Sequence, residues 1–502
     1  MLKSQVMVNK EKIGFLSILF VGLIIRFFYF PYDLPLTIDG LDNFTYASAI
    51  NFYGYLPTEW SPANNGWPIF LSFWFSLLNL DNTFEYMQSQ KIISVILSVL
   101  IIFPVYFLCK KFFDEKIALV GAALFAFDPR IILNSLLGIT EPLFILLTAS
   151  SLVIFLKYER KSIIFSFILA SFATIVRSEG LFLFFALTIL FFIKYRYSKE
   201  ILKTYLPCVV IFLLILSPIM NYKIEVSGHD GIFQRAAYGT NLILTNTSNE
   251  GTNDIFVGME LFAKYLGWVM IPNFIIFVPF GLIQFFKKRN KETNFIIVFL
   301  IVSSPPILYA YIVQALDTRY LYVLYPIFCL ISLFAVKSYL SHLPKRNTVL
   351  FLIIVGILVS SIVFYEYKKS NLEKEEEMYE IAKRISDISM VTNFHPSETK
   401  YLRVSDLPHE WPFVFRDEMY SKVIPTSNYQ NLEDFISNSK GELTHILVDD
   451  NSELPEFLQD IYFNEKDYSY LNKVFDSGKE GFNHHMMLFE IDFEKFDSIS
   501  KR

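Results

Sequence analysis

Eleven stretches of this 502-residue chain are apolar and close to the length of a bilayer crossing, and that constrains the fold more than any other feature. A helix rises about 1.5 Å per residue, so roughly 20 apolar residues cross a hydrocarbon core of about 30 Å. Inside that core every backbone N–H and C=O must find its partner within the protein, which favours helices. The segments are 13–30, 91–108, 117–135, 142–156, 163–176, 181–193, 205–222, 266–286, 295–313, 320–336 and 349–365. With 53% hydrophobic residues overall, a soluble enzyme of this size is excluded.

Charge divides the chain in two. From residue 367 to 502 there are 16 Lys+Arg against 27 Asp+Glu, whereas residues 1–366 carry a basic excess. The expected organisation is a membrane body over 1–366 and an acidic soluble domain over 367–502. Nothing in the basic residues suggests nucleic acid. They sit at the edges of apolar segments, as membrane insertion asks. Cys109, Cys208 and Cys329 all lie in apolar segments, so the tail has no disulfide framework.

Lysine and arginine clusters fall at every second connection, for example Lys10/Lys12, Lys110/Lys111/Lys116, Lys287/Lys288 and Lys337/Lys345. By the positive-inside tendency the N-terminus is cytoplasmic, and eleven crossings place the C-terminal domain outside the cell. The first segment carries Arg26, expected near its outer end and reaching a headgroup or a carboxylate. The first outer loop, 31–90, holds only acidic charges, and its apolar run 67–80 reads as a juxtamembrane helix. A second long outer loop, 223–264, is rich in Gly, Asn and Thr and reads as a flap or a plain connection. Asn43-Phe-Thr45 and Asn246-Thr-Ser248 match the glycosylation triplet, a weak signal.

The tail opens with a charged helix over 371–389. Strand-like runs follow at 390–394, 444–448, 472–475 and 485–491, which reads as a small α/β domain. It shows no phosphate-binding glycine loop and no metal-ligand spacing. His484-His485 reads as a strand start, since adjacent strand residues face opposite ways.

The candidate chemistry lies at outer ends of apolar segments. Asp39 and Asp42 are three residues apart, on one face of a helix that starts there. A general base needs an ionised carboxylate within reach of a hydroxyl, yet Asp39 as N-cap with Asp42 in the first turn is an equally good helix start. Glu141 likewise fits a helix start in Thr140-Glu141-Pro142. Asp128-Pro129-Arg130 interrupts its segment in the outer half, where such residues pair or line a wet cavity. Arg177 and Arg319 are outer cations that insertion does not require. Each can grip a phosphate bidentately, or pair locally with Glu179 and Asp317.

Taken in order, these motifs resemble the GT-C type glycosyltransferases of the protein O-mannosyltransferase and aminoarabinose transferase group. The resemblance spans roughly 13–340. It rests on Asp39-Gly-x-Asp42-x-x-x-Tyr46, Gly66-Trp67-Pro68, Asp128-Pro129-Arg130, Thr140-Glu141-Pro142, Arg177-Ser-Glu-Gly180 and Arg319-Tyr320. It implies a polytopic all-α membrane fold of about eleven transmembrane helices carrying an extracytoplasmic C-terminal α/β domain. It further implies inverting transfer of a hexose from a polyprenyl- or dolichyl-phosphate donor to a protein, glycan or lipid acceptor. Asp39 would serve as base, with Asp42 beside it, and Arg177 or Arg319 would hold the donor phosphate. Tyr46, Trp67, Glu141 and Asp128 would line the substrate cavity. No cofactor is required, though some relatives hold a divalent metal at their acidic motif, which Asp39 and Asp42 would supply here. The Trp-Trp-Asp-Tyr-Gly acceptor motif of oligosaccharyltransferases is absent, which speaks against en bloc transfer to asparagine. The rival reading is a transporter or lipid-linked-sugar flippase, but no repeated halves or midplane charges favour it.

Overall fold

The computed structural model describes the chain apart from residues 1, 59, 158–161, 196–198, 235–236, 238–254, 289, 342, 387, 389, 396–398, 406, 414–421, 453 and 501–502. The triplet at Asn246 and the middle of the loop 223–264 lie outside the described residues. The chain resolves into two compact units. One comprises 1–30, 53–78 and 89–367, and the other 31–52, 79–88 and 368–502. The first outer loop is thus shared between them, and most of it belongs with the C-terminal residues.

In the first unit each of the eleven apolar segments is built from helix. Among the described residues five helices are long and apolar enough to cross a bilayer: Thr83–Phe112, Lys199–Ser227, Lys291–Ile312, Thr318–Leu340 and Arg346–Ile385. Two bent pairs raise the number to seven, Glu115–Ala126 with Pro129–Ser135 (53°) and Ile255–Met270 with Phe274–Lys287 (110°). The chain is an integral membrane protein. Helices such as Ile163–Val176 and Gly180–Tyr195, at 14 and 16 residues, fall short of a full crossing by length alone.

The first bend has a local cause. Asp128 closes one helix and caps the next, its Oδ1 accepting from the Arg130 and Ile131 backbone N–H at 3.0 and 3.2 Å, with Pro129 at N1. Arg26 corrects the expectation of an outward reach. It is fully buried and donates to the Gly22 and Ala126 carbonyls at 2.8 and 2.9 Å and to Ser98 Oγ at 3.0 Å. Its guanidinium is satisfied by protein oxygens, including the Ala126 carbonyl at the end of a neighbouring helix, so no headgroup is needed.

The second unit contains helix Ile38–Tyr53 and two small sheets. Strands β1 (Val391–Asn393) and β2 (Lys422–Ile424) pair in parallel. Strands β3 (His445–Asp449), β4 (Leu471–Asp476) and β5 (Met486–Ile491) form an antiparallel sheet in the order β3-β5-β4, with an irregularity near Phe475 in β4. β2 carried no sequence signal, because a three-residue strand shows no usable alternation. The core of this sheet joins Ile446, Val448, Met487, Phe489 and Ile491 to Phe435, Leu458, Ile461 and Phe496 from short helices. Asn393 anchors β1 to β3, donating to the Leu447 carbonyl at 2.9 Å and accepting from its N–H at 2.7 Å.

Candidate functional site

Within the membrane unit a pocket is lined by Glu141, Phe144, Arg177, Glu179, Arg319 and Tyr320, among others. Arg177 follows the last turn of helix Ile163–Val176, whose end is closed by the Arg177 N–H donating to the Ala173 carbonyl at 2.9 Å. Two glycines make that end accessible to neighbours. A Cβ on Gly180 would stand 2.4 Å from the Thr174 backbone nitrogen, and one on Gly66 2.6 Å from that of Val176. Asn64 Oδ1 accepts from the Ser178 N–H at 3.1 Å and fixes the turn.

Arg177 is clamped between two carboxylates. Its Nη1 lies 2.5 Å from Glu141 Oε1 and its Nη2 2.7 Å from Glu179 Oε1, with the guanidinium 5.8 Å from both the Phe144 and Tyr320 rings. Glu141 opens its helix as expected and serves this pair as well, with Thr140 Oγ1 3.4 Å from its Oε2. Arg319 sits at the start of the 3-10 turn Thr318–Leu324. Asp317 caps that turn through the Arg319 N–H at 2.8 Å and holds Arg319 Nε at 2.5 Å. The Tyr311 hydroxyl donates to the Asp317 carbonyl at 2.9 Å and steadies the turn. So both local ion pairs form, and both arginines line one pocket. Arg319 is the more accessible, at 27% side-chain exposure against 15% for Arg177.

Trp67 and Asp128 of the same unit are buried at other points. Trp67 is fully enclosed and donates Nε1–H to the Gly138 carbonyl at 3.1 Å, a carbonyl that Gln90 Nε2 also reaches at 2.7 Å. Asp128 caps the bend described above.

In the other unit, helix Ile38–Tyr53 buries Leu41, Phe44, Tyr46, Ala47 and Ser48 and leaves Asp39 and Asp42 exposed. Phe44 packs against Trp411 and Phe413, and Ser48 Oγ donates to the Phe413 carbonyl at 2.9 Å. Tyr46 is fully buried. Asp39 stands inside the first turn, one residue after its start, because the Thr37 carbonyl takes the Gly40 and Leu41 N–H groups. The preceding Ile38 has φ of +47°, a conformation costly for a β-branched residue.

Asp42 Oδ1 lies 3.7 Å from an Arg403 guanidinium nitrogen. Its carboxyl is raised above the ordinary value, chiefly by desolvation, with Asp39 adding to the rise and Arg403 opposing it. Arg403 was not legible as a partner, since nothing local in sequence links positions 42 and 403. A further group that sequence spacing missed is His395, Asp449, Asp450 and His484, where His484 precedes β5 and turns toward Asp449.

A model of the dolichyl-phosphate-mannose-protein mannosyltransferase family matches residues 70–222. The structure of ArnT from Cupriavidus metallidurans bound to undecaprenyl phosphate superposes with a TM-score of 0.52 at 11% identity, covering 95% of this chain and 97% of that one. The chain shares the fold of that GT-C protein. A second GT-C protein, the Archaeoglobus fulgidus oligosaccharyltransferase tethered to an acceptor peptide with an NVT sequon, matches with a TM-score of 0.51 at 13% identity. That match covers 87% of this chain and 69% of that one. No curated protein sequence matches. At these identities the likeness is one of fold, and the chemistry of this chain rests on its own residues.

Proposed function

We propose that this GT-C protein is a membrane glycosyltransferase that moves a hexose from a polyprenyl- or dolichyl-phosphate donor to a protein, glycan or lipid acceptor on the outer face. The observation that carries the reading is the pocket holding Arg177 and Arg319, two cations without an insertion role, in a GT-C fold. The proposed topology keeps all eleven segments as crossings, with the N-terminus cytoplasmic and the C-terminal residues outside.

The chemistry balances as a single displacement. Asp39 takes the proton from the acceptor hydroxyl, whose oxygen forms a bond to the anomeric carbon from the face opposite the phosphate. The anomeric C–O bond breaks, its electron pair leaves with the polyprenyl phosphate, and configuration inverts. The departing phosphate gains negative charge, which Arg319 and Arg177 stabilise as preorganised donors. Arg177 alone brings little net charge, because Glu141 and Glu179 already neutralise it. Arg319 is also paired, but with the single carboxylate of Asp317, and it is the more accessible cation, so it is assigned the larger share.

A divalent metal at Asp39 and Asp42 fits poorly. The two carboxylates belong to no three-ligand group among the described residues, and a cation, Arg403, already faces Asp42. No step is routed through a metal.

The test uses full-length protein in nanodiscs with polyprenyl-monophosphate mannose, glucose and hexuronate donors and mixed acceptors. Released polyprenyl phosphate is followed by mass spectrometry. General-base loss costs about 100- to 10,000-fold, so Asp39→Asn is expected to reduce release at least a hundredfold. Release from neither protein with any donor overturns the reading and favours the transport alternative.

A further inference from the structure

We propose that Asp449, Asp450 and His484 form a divalent-metal site of the zinc class in the C-terminal unit, separate from the residues assigned to sugar transfer. Asp449 ends strand β3, Asp450 follows it, and His484 sits just before β5, the strand paired with β3. Sheet pairing therefore brings the three together across 34 residues of sequence, a separation that no short motif would flag.

The geometry is that of ligands. Asp449 is fully buried, and its Oδ2 faces His484 Nε2 at 3.3 Å, an ion-pair distance, but takes no hydrogen bond of good geometry among the described residues. Two ligands held at ~2.0–2.1 Å on a tetrahedral zinc stand about 3.4 Å from each other, which matches that spacing. One ligand atom from each of Asp449, Asp450 and His484 lies within 4.8 Å of the others. Asp450 is exposed, so its side chain has room to close the remaining gap.

The surroundings fit as well. The other oxygen, Asp449 Oδ1, is already occupied by His395 Nε2 and by the Asn451 N–H, both at 2.9 Å. Such outer partners orient a ligating carboxylate and leave its second oxygen for the metal. His484 is held from both sides: Glu377 accepts its backbone N–H at 3.2 Å, and its carbonyl accepts from Ser477 Oγ at 2.6 Å. Asp450 and His484 open onto a groove that also carries Asp33, Glu373, Glu376, Glu377 and Glu380 against one base, Lys374, a net acidic approach for a cation. One imidazole with two carboxylates is a donor set for zinc or a similar transition metal, and hard cations such as calcium prefer oxygen alone.

The test is metal content of the full-length protein, tag removed, stripped with chelator and then equilibrated with zinc chloride. The expected result is one zinc per chain in the wild type, with affinity at least tenfold weaker in both Asp450→Asn and His484→Gln. Asp39→Asn should retain zinc unchanged, which separates this site from the acidic pair at 39 and 42. Asp450 is exposed, so its variant remains informative even if His484→Gln misfolds. No zinc in the wild type, full retention by either folded variant, or tighter binding of calcium than zinc overturns the proposal.

Discussion

Arg177 and Glu141, 36 residues apart, meet at 2.5 Å with side-chain exposures of only 15% and 6%. Glu179 takes the other arm of the same guanidinium. This arrangement separates structure from charge, because removing one carboxylate leaves the cation held by the other. Glu141→Gln is expected to lower unfolding stability by about 1.5–3 kcal/mol, the scale of one lost charge-assisted hydrogen bond, because Glu179 still compensates the guanidinium. It should also tighten binding of polyprenyl monophosphate, since the pocket gains one unit of positive charge. Thermal unfolding in nanodiscs and product-inhibition constants read the two effects. Stability loss with unchanged phosphate affinity would show that Arg177 serves packing alone.

Arg319 should behave differently. Losing a charge-assisted hydrogen bond costs about 1.5–3 kcal/mol, so Arg319→Gln is expected to raise the donor KM at least tenfold while the acceptor KM stays constant. Arg319→Lys should recover part of that loss, because it restores the charge and lacks the planar fork. Steady-state kinetics with each substrate varied in turn decides this. Equal effects on both KM values would remove Arg319 from the donor site.

How far the sequence reaches is visible in these same residues. Hydropathy located the helices, since all eleven apolar segments are helical, and helix-start chemistry placed Glu141 at the first residue of its helix. Local ion pairs were legible too, because Arg177–Glu179 and Arg319–Asp317 are two residues apart. What sequence spacing missed depends on long-range contact: Arg177 with Glu141, Arg403 with Asp42, and Asp449 with His484. Arg26 was misplaced for the same reason. Its partners are a serine and two backbone carbonyls, which leave no pattern in the chain.

Asp42 offers a pH handle. Desolvation and Asp39 raise its carboxyl, and Arg403 holds it down. Removing Arg403 takes away the lowering influence, so Arg403→Gln moves the protonation of Asp42 to higher pH. If transfer needs Asp42 ionised, the acid limb of the kcat/KM profile shifts upward in that variant while the rate at alkaline pH is unchanged. An acid limb that stays in place would show that Asp42 does not govern the reaction.

The glycines beside Arg177 give a test that needs no substrate. A methyl group on Gly180 meets the Thr174 backbone at 2.4 Å, and one on Gly66 meets Val176 at 2.6 Å, whereas Gly267 has nothing within 4 Å of the same position. Backbone cannot rotate away as a flexible side chain does, so the helix end must shift. Overpacking of this kind costs about 1–3 kcal/mol. Gly180→Ala and Gly66→Ala are therefore expected to destabilise the protein by that amount, and the displaced Arg177 should weaken donor binding in parallel. Gly267→Ala, inside helix Ile255–Met270, is expected to be neutral or to stabilise by up to about 1 kcal/mol, because alanine is the better helix former. Denaturation curves for the three variants decide the matter. If all three behave alike, the close approach around the helix end at Val176 is not what holds Arg177 in place.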